Sequence, residues 1–305
     1  MIKSITVTNY VGDSITIKLR EPETTGFLIS SITGLGPAKA EINTTDISAM
    51  DGSMFNSARM SQRNIVLGIV FTNTYEKESI EDLRLKSYKY FPLKKKLELL
   101  IETDNRLVKT MGYVESNEPN IFSSMENTQI SIICPDPYFY DAGANQETEF
   151  YSVEPLFEFP FSNESLTKNL IEFSRMKNAA EGNIHYLGDA DIGMTIYIHA
   201  IGPATNVYIH NLGTLESMKI DTTKLKTLTG SGIIERDEII ITTVKGEKNI
   251  VLVREGKIIN ILNCLDRNVC WLGLTKGDNV FAFTADSGIL NLQFRIENRI
   301  IYEGV

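Results

Sequence analysis

The sequence predicts a mainly β protein, and three observations lead to that prediction. Apolar residues alternate with polar ones in short runs, for example over residues 15–19, 97–101 and 129–132. A period of two indicates a strand with one buried face. Turn-forming pairs such as Gly12-Asp13 and Glu255-Gly256 punctuate the chain. One segment of the first half has a helical period instead, so a sheet with one helix is expected there.

The predicted helix lies between Ser79 and Pro92. Ser79 is a good N-cap, Asp82 suits the positive first turn, and Pro92 cannot continue a helix. The residues on its predicted buried face are Ile80, Leu83, Ser87 and Phe91. A single helix among strands is typical of an α+β unit.

The length of 305 residues favours two domains over one. Four of the nine prolines fall between residues 134 and 160, beside a polar stretch, and we place the boundary there. The predicted domains are residues 1–145 and 146–305. Many short strands with tight turns follow the boundary, which predicts a β-sandwich for the second domain.

The composition excludes several classes of protein. The net charge is −9 and is spread evenly, whereas a nucleic-acid binder concentrates Lys and Arg. Three cysteines without a Cys-x-x-Cys pair indicate neither a zinc site nor a disulfide framework, and favour production in a reducing cytoplasm. The first residues alternate and break at Gly12-Asp13, unlike a signal peptide. No apolar run approaches the ~20 residues that span a bilayer, so no membrane partner is expected.

No catalytic motif is found, so the sequence predicts a protein that is not an enzyme and needs no cofactor. The best metal candidates are His199 and His210. A hairpin turn near Ala204 would place them opposite each other, about 5 Å apart. Two histidines are too few for a zinc site, so strand histidines without a metal are the favoured interpretation.

Trp271 is the single tryptophan of the chain. An exposed indole would be a candidate for stacking on a sugar ring. The apolar neighbours Val269, Leu272 and Leu274 favour a core position instead, and we expect the ring to be largely buried.

Several segments occur in an order and spacing that resembles the distal tail protein family of phage tails. In the first half they are Gly34–Asn43, Asp51–Phe55, Arg63–Phe71, Asp82–Pro92, Gly112–Pro119 and Cys134–Phe139; in the second half they are Gly188-Asp189, Trp271–Asn279 and Tyr302–Val305. The chain departs from the family at Arg236–Thr243, where a compact Gly-Asp-x-Ile-x-Ile-Asp-Thr strand is usual.

The resemblance implies a structural role at the virion tail tip. The first domain would be an α+β, tail-tube-like split barrel with one helix that forms a hexameric ring. The second would be a galectin-like or carbohydrate-module-like β-sandwich. The ring would connect the tail tube protein to the central hub or tail fibre protein, with sheath or other baseplate proteins as further candidate partners, and DNA would only pass through its lumen. The resemblance is equally compatible with a contractile tail, a non-contractile tail and a tail-like bacteriocin.

An alternative function also stays open. The second domain would then be a carbohydrate-binding adaptor that contributes to attachment to the host cell, and the first domain would only carry it.

Residues 44–62 form a long polar segment without periodicity, which predicts a loop that is functional or disordered. Within the resemblance it is the candidate oligomer interface, with Met54, Phe55 and Met60 as apolar anchors. Arg59 would bind a carboxylate of the neighbouring subunit, and a solvated loop arginine is the open alternative. So polar a segment is expected to order only in the assembled ring.

Overall fold

A computed structural model describes residues 1–48, 51–72, 74–76, 78–155, 174–178, 181–266 and 269–305, with the backbone alone for 152–155 and 174–178. The protein is mainly β, as predicted. It divides into two compact units. Unit 1 comprises Met1–Ala144 together with Ile301–Val305, and unit 2 comprises Asn145–Ile300.

The strands are numbered here in chain order. The first thirteen are β1 (Ile2–Thr8), β2 (Ser14–Lys18), β3 (Phe27–Thr33), β4 (Ala40–Asp46), β5 (Ser53–Met60), β6 (Arg63–Phe71), β7 (Lys96–Thr103), β8 (Leu107–Asn120), β9 (Asn127–Cys134), β10 (Phe139–Asp141), β11 (Gln146–Glu149), β12 (Tyr151–Pro155) and β13 (Ser174–Asn178). The others are β14 (Glu181–Tyr186), β15 (Ile192–Gly193), β16 (Thr195–Ala200), β17 (Thr205–Asn211), β18 (Glu216–Ile220), β19 (Glu238–Thr242), β20 (Asn249–Arg254), β21 (Lys257–Asn260), β22 (Gly273–Leu274), β23 (Gly277–Ser287), β24 (Leu292–Asn298) and β25 (Ile301–Tyr302). The α-helices are α1 (Ile80–Tyr90) and α2 (Thr222–Thr229).

Unit 1 is built on one antiparallel sheet with the strand order β2-β1-β7-β8-β9-β6-β3. β10 pairs with β8, and β25 pairs with β10. Strands β2 and β3 end the order, so the sheet is open and, over the part of the chain that the structure describes, does not close into a barrel. Alternating residues such as Ile65, Leu67 and Ile69 are fully buried, as a period of two predicts.

Helix α1 begins where the sequence predicted. The Ser79 hydroxyl accepts a hydrogen bond from the Asp82 amide at 3.1 Å, and the Asp82 carboxylate accepts one from the Ser79 amide at 3.2 Å. This reciprocal pair is a capping box. The hydrogen bonds from Ser79 hold the pKa of Asp82 below its ordinary value. Leu83, Ser87 and Phe91 are buried, which confirms most of the predicted face.

Substituting Ser79→Ala should lower the free energy of unfolding by about 1 kcal/mol, because the amide of Asp82 loses its acceptor. Urea denaturation followed by circular dichroism measures the change. Ser124→Ala, at an exposed turn serine, is the matched control and should leave the midpoint unchanged. Equal midpoints for the two variants would contradict a capping role for Ser79.

Unit 2 is a β-sandwich. One sheet has the order β11-β24-β16-β19-β20-β21, and the other has the order β14-β23-β17-β18. Phe283 of β23 stacks on Phe294 of β24 with ring centroids 4.1 Å apart, and Phe150 meets Phe283 edge-on at 4.8 Å. These rings join the inner faces of the two sheets and form part of a continuous apolar core.

Two features of the architecture differ from the sequence prediction. Unit 2 contains a helix, α2, capped by Asp221 and ended by Gly230 in the left-handed conformation; no helix was predicted there. Residues 301–305, which the predicted boundary assigns to the second domain, pack within unit 1. No helix in the described residues is both long and apolar enough to cross a membrane.

Candidate assembly site: an exposed arm and its root

Strands β4 and β5 form a two-stranded antiparallel hairpin, which we call the arm (residues 40–60). The prediction of a loop over residues 44–62 is therefore wrong for most of this segment, although Ala49 and Met50 lie outside the described residues. Every strand residue of the arm is exposed except Met60, which is half-buried. The arm contributes nothing to the core of its own unit.

The two faces of the arm differ in chemistry. Side chains alternate along each strand, and the register pairs Ala40 with Met60, Ile42 with Ala58, and Thr44 with Phe55. All of these except Thr44 are apolar, and we call their side of the hairpin the apolar face. Ile42 and Phe55 are each 63% exposed, so the two largest wholly exposed side chains of that face contact little of the chain that carries them.

The opposite face of the arm is polar, and its side chains are paired with one another. Arg59 Nε donates to Glu41 Oε2 at 2.7 Å, and Asn43 donates to the hydroxyl of Ser57 at 3.0 Å. The hydrogen bond from Arg59 is the main cause of the lowered pKa of Glu41. Cross-strand pairs of this kind hold a hairpin in register. The polar face is therefore largely satisfied within the arm.

Arg63, the first residue of β6, holds the base of the arm, which we call its root. Its side chain is 2% exposed, and its guanidinium donates to four backbone carbonyls. The acceptors are the oxygens of Gly34 (2.6 Å), Gly36, Pro137 (2.8 Å) and Glu303 (2.6 Å). The guanidinium also lies 4.2 Å from the ring centroid of Phe139. Burial lowers the pKa of Arg63, yet a guanidinium keeps its proton in proteins.

The segment that leads into the arm needs a glycine at position 34. Gly34 has a φ of +84°, and a Cβ at this position would lie 1.9 Å from the carbonyl oxygen of Asn64. Any side chain would therefore push the incoming segment away from β6. Because the segment at Gly34 lies so close to β6, the Gly34 carbonyl can accept a hydrogen bond from Arg63.

Residues 301–305 hold the same segment from another side. The Val305 amide donates to the Leu35 carbonyl at 3.0 Å. Strand β25 pairs with β10, and the guanidinium of Arg106 lies 4.1 Å from the ring centroid of Tyr302. The arm thus projects from a root that is fixed on both of its connecting strands.

The structure places the predicted interface residues on this arm. Met54 is on the polar face and 54% exposed, Phe55 and Met60 are on the apolar face, and Arg59 is exposed. The carboxylate that binds Arg59 belongs to Glu41 of the same chain. A carboxylate of a neighbouring subunit would have to compete with Glu41 for Arg59. The sequence analysis did not predict this pairing of Arg59 within its own chain.

The predicted pairing of His199 with His210 is wrong. His199 lies in β16, opposite Glu238 and Gln293, whereas His210 lies in β17, opposite Ser217 and Ala282. The turn near Ala204 crosses from one sheet of the sandwich to the other, so the two strands do not pair. Within the described ranges, no group of three or more His, Cys, Asp or Glu side chains could hold a metal ion.

Trp271 is half-buried, whereas Leu272 and Leu274 beside it are buried in the core. The expectation of a largely buried ring is therefore only partly met. The Lys248 ammonium lies 5.4 Å from the indole centroid. Since that cation already occupies a position over the ring, the indole is a poor candidate for stacking on a sugar.

Comparison with known proteins gives a match of fold. No family model and no curated protein matches the sequence. The crystal structure of SPP1 Dit (gp 19.1), described as a paradigm of the hub adsorption apparatus in phages that infect Gram-positive bacteria, superposes with a TM-score of 0.61. The identity is 12%, and the match covers 98% of this chain and 100% of that one. The baseplate of phage P2 in its activated conformation with Ca also matches, at 12% identity, 98% coverage of both chains and a TM-score of 0.43. The match with SPP1 Dit confirms the resemblance to phage distal tail proteins at the level of the fold.

Proposed function

We propose that this chain is a non-catalytic structural protein of a phage-type tail tip or baseplate. Six copies would form a ring that connects the tail tube protein to the central hub or tail fibre protein. The observation that carries the proposal is the arm, an exposed hairpin with one apolar face and a fixed root. The fold shared with SPP1 Dit, over almost the whole of both chains, supports a place at the tail tip.

The arm has the properties that a closed ring requires of a contact surface. Head-to-tail rings form when a surface of one copy meets a different surface of the next. Polar side chains of the arm such as Arg59 and Asn43 are already paired across the hairpin, so the apolar face is the part that gains most from a partner. Burying a side chain such as Ile42 or Phe55 contributes about 1.5–3 kcal/mol.

The charge of the chain is compatible with a ring around a DNA channel. Each copy carries a net charge of −9. An acidic lumen repels the phosphate backbone, so DNA would pass through without being held. Sheath or other baseplate proteins are further candidate neighbours, and the site of action would be the virion tail tip.

Substituting Phe55→Asp should abolish ring assembly, because it places a charge on the apolar face of the arm. Sedimentation velocity of the full chain over a range of concentrations measures the effect. We expect the wild-type protein to form a hexamer as its concentration rises, whereas Phe55→Asp stays monomeric. Ser57→Asp, which puts the same charge on the polar face, is the matched control and should still assemble.

Two results would count against these proposals. A wild-type chain that stays monomeric at every concentration, also with the tail tube protein present, would exclude the ring. Assembly of Phe55→Asp to the same extent as wild type would be compatible with a ring, but it would show that the arm is not part of the ring interface.

The arm should also change its dynamics on assembly. Strand residues 40–46 and 53–60 bury almost nothing in the monomer, so their backbone amides should exchange rapidly there and slowly in the ring. Hydrogen exchange on both forms measures the difference. Residues 65–69 of β6, where Ile65, Leu67 and Ile69 are buried in the monomer, are the internal control. Equal protection of the arm in both forms would mean that it folds without a neighbour.

A further inference from the structure

The turn between β8 and β9 carries large apolar side chains on the surface of unit 1. We call residues 121–125 the β8–β9 turn. Phe122 is fully exposed, and Ile121 and Met125 beside it are exposed as well. None of these side chains contributes to the core of unit 1. Several large apolar side chains together on a surface indicate contact with another molecule.

The β8–β9 turn is held in a fixed position by the residue that follows it. The guanidinium of Arg84 in helix α1 donates to Glu126 Oε2 at 3.2 Å, and the Phe71 amide donates to the Glu126 carbonyl at 3.0 Å. Both side chains of the ion pair are mostly buried. The turn is therefore already placed before it meets a partner, which lowers the entropy cost of binding.

The surroundings of the β8–β9 turn are acidic. Residues 115–126 contain three glutamates and neither lysine nor arginine. Glu118 is exposed, and its carboxylate has no partner within the described part of the chain. Glu81 and Glu126 share the single guanidinium of Arg84. The chemistry that complements this turn is therefore an apolar surface with positive charge beside it.

Unit 1 carries such a surface at another place. The turn between β1 and β2 exposes Tyr10 and Val11, and the segment that follows helix α1 exposes Leu93. Three exposed lysines come directly after Leu93, and none of them has a carboxylate partner among the described residues. The Lys95 ammonium lies 5.3 Å from the ring centroid of Tyr10, so the two segments are in contact. We call this the lysine surface, and its residues are Tyr10, Val11, Leu93, Lys94, Lys95 and Lys96.

The lysine surface is also fixed by hydrogen bonds. The Asn9 side chain is 7% exposed, and its Oδ1 accepts from the amides of residues 11–13 at 3.0–3.1 Å. Its Nδ2 donates to the Lys89 carbonyl at 3.1 Å. The Lys94 amide donates to the Val114 carbonyl of β8 at 3.0 Å. Both of its segments are thus formed in the single chain.

We propose that the β8–β9 turn of one copy binds the lysine surface of a second copy of this chain. The apolar side chains would pack together, and Glu118 would lie beside the unpaired lysines. Ile121 lies roughly 20 Å further along β8 and its turn than Val114, at about 3.3 Å per residue, so the turn does not reach the lysine surface of its own chain. The carboxylates around the turn disfavour an anionic lipid surface as the alternative partner.

This inference rests on the proposed ring and adds a second contact to that of the arm. Two different surfaces that meet between copies form a head-to-tail contact, which is the kind that a closed ring requires. The arm supplies an apolar face whose polar side is satisfied within the hairpin, whereas the contact proposed here adds charge complementarity. Opposite charges fix the register of a contact and disfavour wrong pairings.

Sedimentation velocity of full-chain variants tests this contact. Phe122→Asp, Glu118→Lys and Lys95→Glu should each raise the concentration at which half of the chain is assembled by about tenfold or more. The double variant Glu118→Lys with Lys95→Glu exchanges the two charges and should return to within about threefold of the wild type. Leu215→Asp and Lys257→Glu are the matched controls, because both residues are exposed in unit 2, and they should assemble as wild type does.

A photo-reactive benzophenone amino acid at position 122 identifies the surface that receives the turn. In a mixture of isotope-labelled and unlabelled chains, it should cross-link to residues 9–13 or 93–96 of another copy. The substituted side chain is fully exposed in the monomer, so the fold should not be affected.

The proposed ring and this contact can fail separately. A ring that is sensitive to Phe55→Asp but assembles normally with Phe122→Asp would overturn the contact and keep the ring. Cross-links to other parts of the chain, or a double variant as weak as its single variants, would also overturn the contact. So would flotation with phosphatidylcholine vesicles that Phe122→Asp abolishes, which would assign the turn to a membrane. A wild-type chain that never assembles would overturn both proposals.

Discussion

Replacing Arg254 by methionine is expected to lower the free energy of unfolding of unit 2 by about 3–5 kcal/mol. Arg254 is the partner of Asp237, whose side chain is only 1% exposed. The guanidinium donates to Oδ1 at 2.7 Å and to Oδ2 at 2.6 Å, which is a bidentate pair. Methionine keeps much of the packing volume but leaves a buried carboxylate without its counter-charge.

Arg254 also joins several parts of unit 2. Its guanidinium donates to the Ser231 hydroxyl at 2.6 Å and to the Gly232 carbonyl at 2.7 Å. Residues 230–232 connect α2 to the strands that follow. Loss of the guanidinium would therefore weaken the attachment of this connection as well as that of Asp237.

Chemical denaturation of the full chain, with a probe for each unit, measures the loss. Arg236→Met is the matched control, because the Arg236 side chain is 89% exposed, and it should change little. Removing both charges with Arg254→Met and Asp237→Leu should recover part of the stability, since no unpaired charge stays buried. Equal unfolding midpoints for Arg254→Met and Arg236→Met would exclude the proposed role of the pair.

The elements that the sequence predicted best are those with one buried face. The strands around Ile65 and Ile130 and the helix starting after Ser79 show the periodicity that burial in the core imposes. The arm was not predicted because it lacks this periodicity. Both of its faces are exposed within the chain, so its sequence carries no alternation that reports a core, and the segment resembled a loop.

Long-range placement could not be predicted from local patterns. His199 and His210 flank a turn that links two sheets, and adjacent strands of a sandwich can either pair or cross between sheets with similar sequences. Helix α2 is short and rich in threonine, which gives a weak helical signal. Its end signals, Asp221 and Gly230, were present in the sequence and could have identified it.

The candidate site was predicted in part. Phe55 and Met54, which were predicted as interface residues of a loop, are exposed on the arm, but the residue that fixes the arm, Arg63, was not singled out. An arginine that begins an apolar strand is ambiguous in a sequence, because a surface position is far more common for this residue type. Its carbonyl acceptors lie up to 240 positions away along the chain, and only the fold brings them together.

Replacing Arg63 by methionine is expected to destabilise unit 1 by about 3–5 kcal/mol and to loosen the root of the arm. Hydrogen bonds to a charged group contribute roughly 1.5–3 kcal/mol each, and four carbonyls lose their donor here, some of which water can replace. Lysine keeps the charge but lacks the planar fork, so Arg63→Lys should recover only a minor part of the loss.

Hydrogen exchange and sedimentation together measure the effect of Arg63→Met. The Val305 amide, which donates to Leu35, should lose protection. Ring assembly should weaken although Ile42 and Phe55 are unchanged, because a loosely held arm must be ordered when it binds. Arg59→Met is the matched control, since that arginine is exposed and bonded only within the arm, and it should keep the protection of Val305. Wild-type protection of Val305 in Arg63→Met would show that β25 holds the root without the guanidinium.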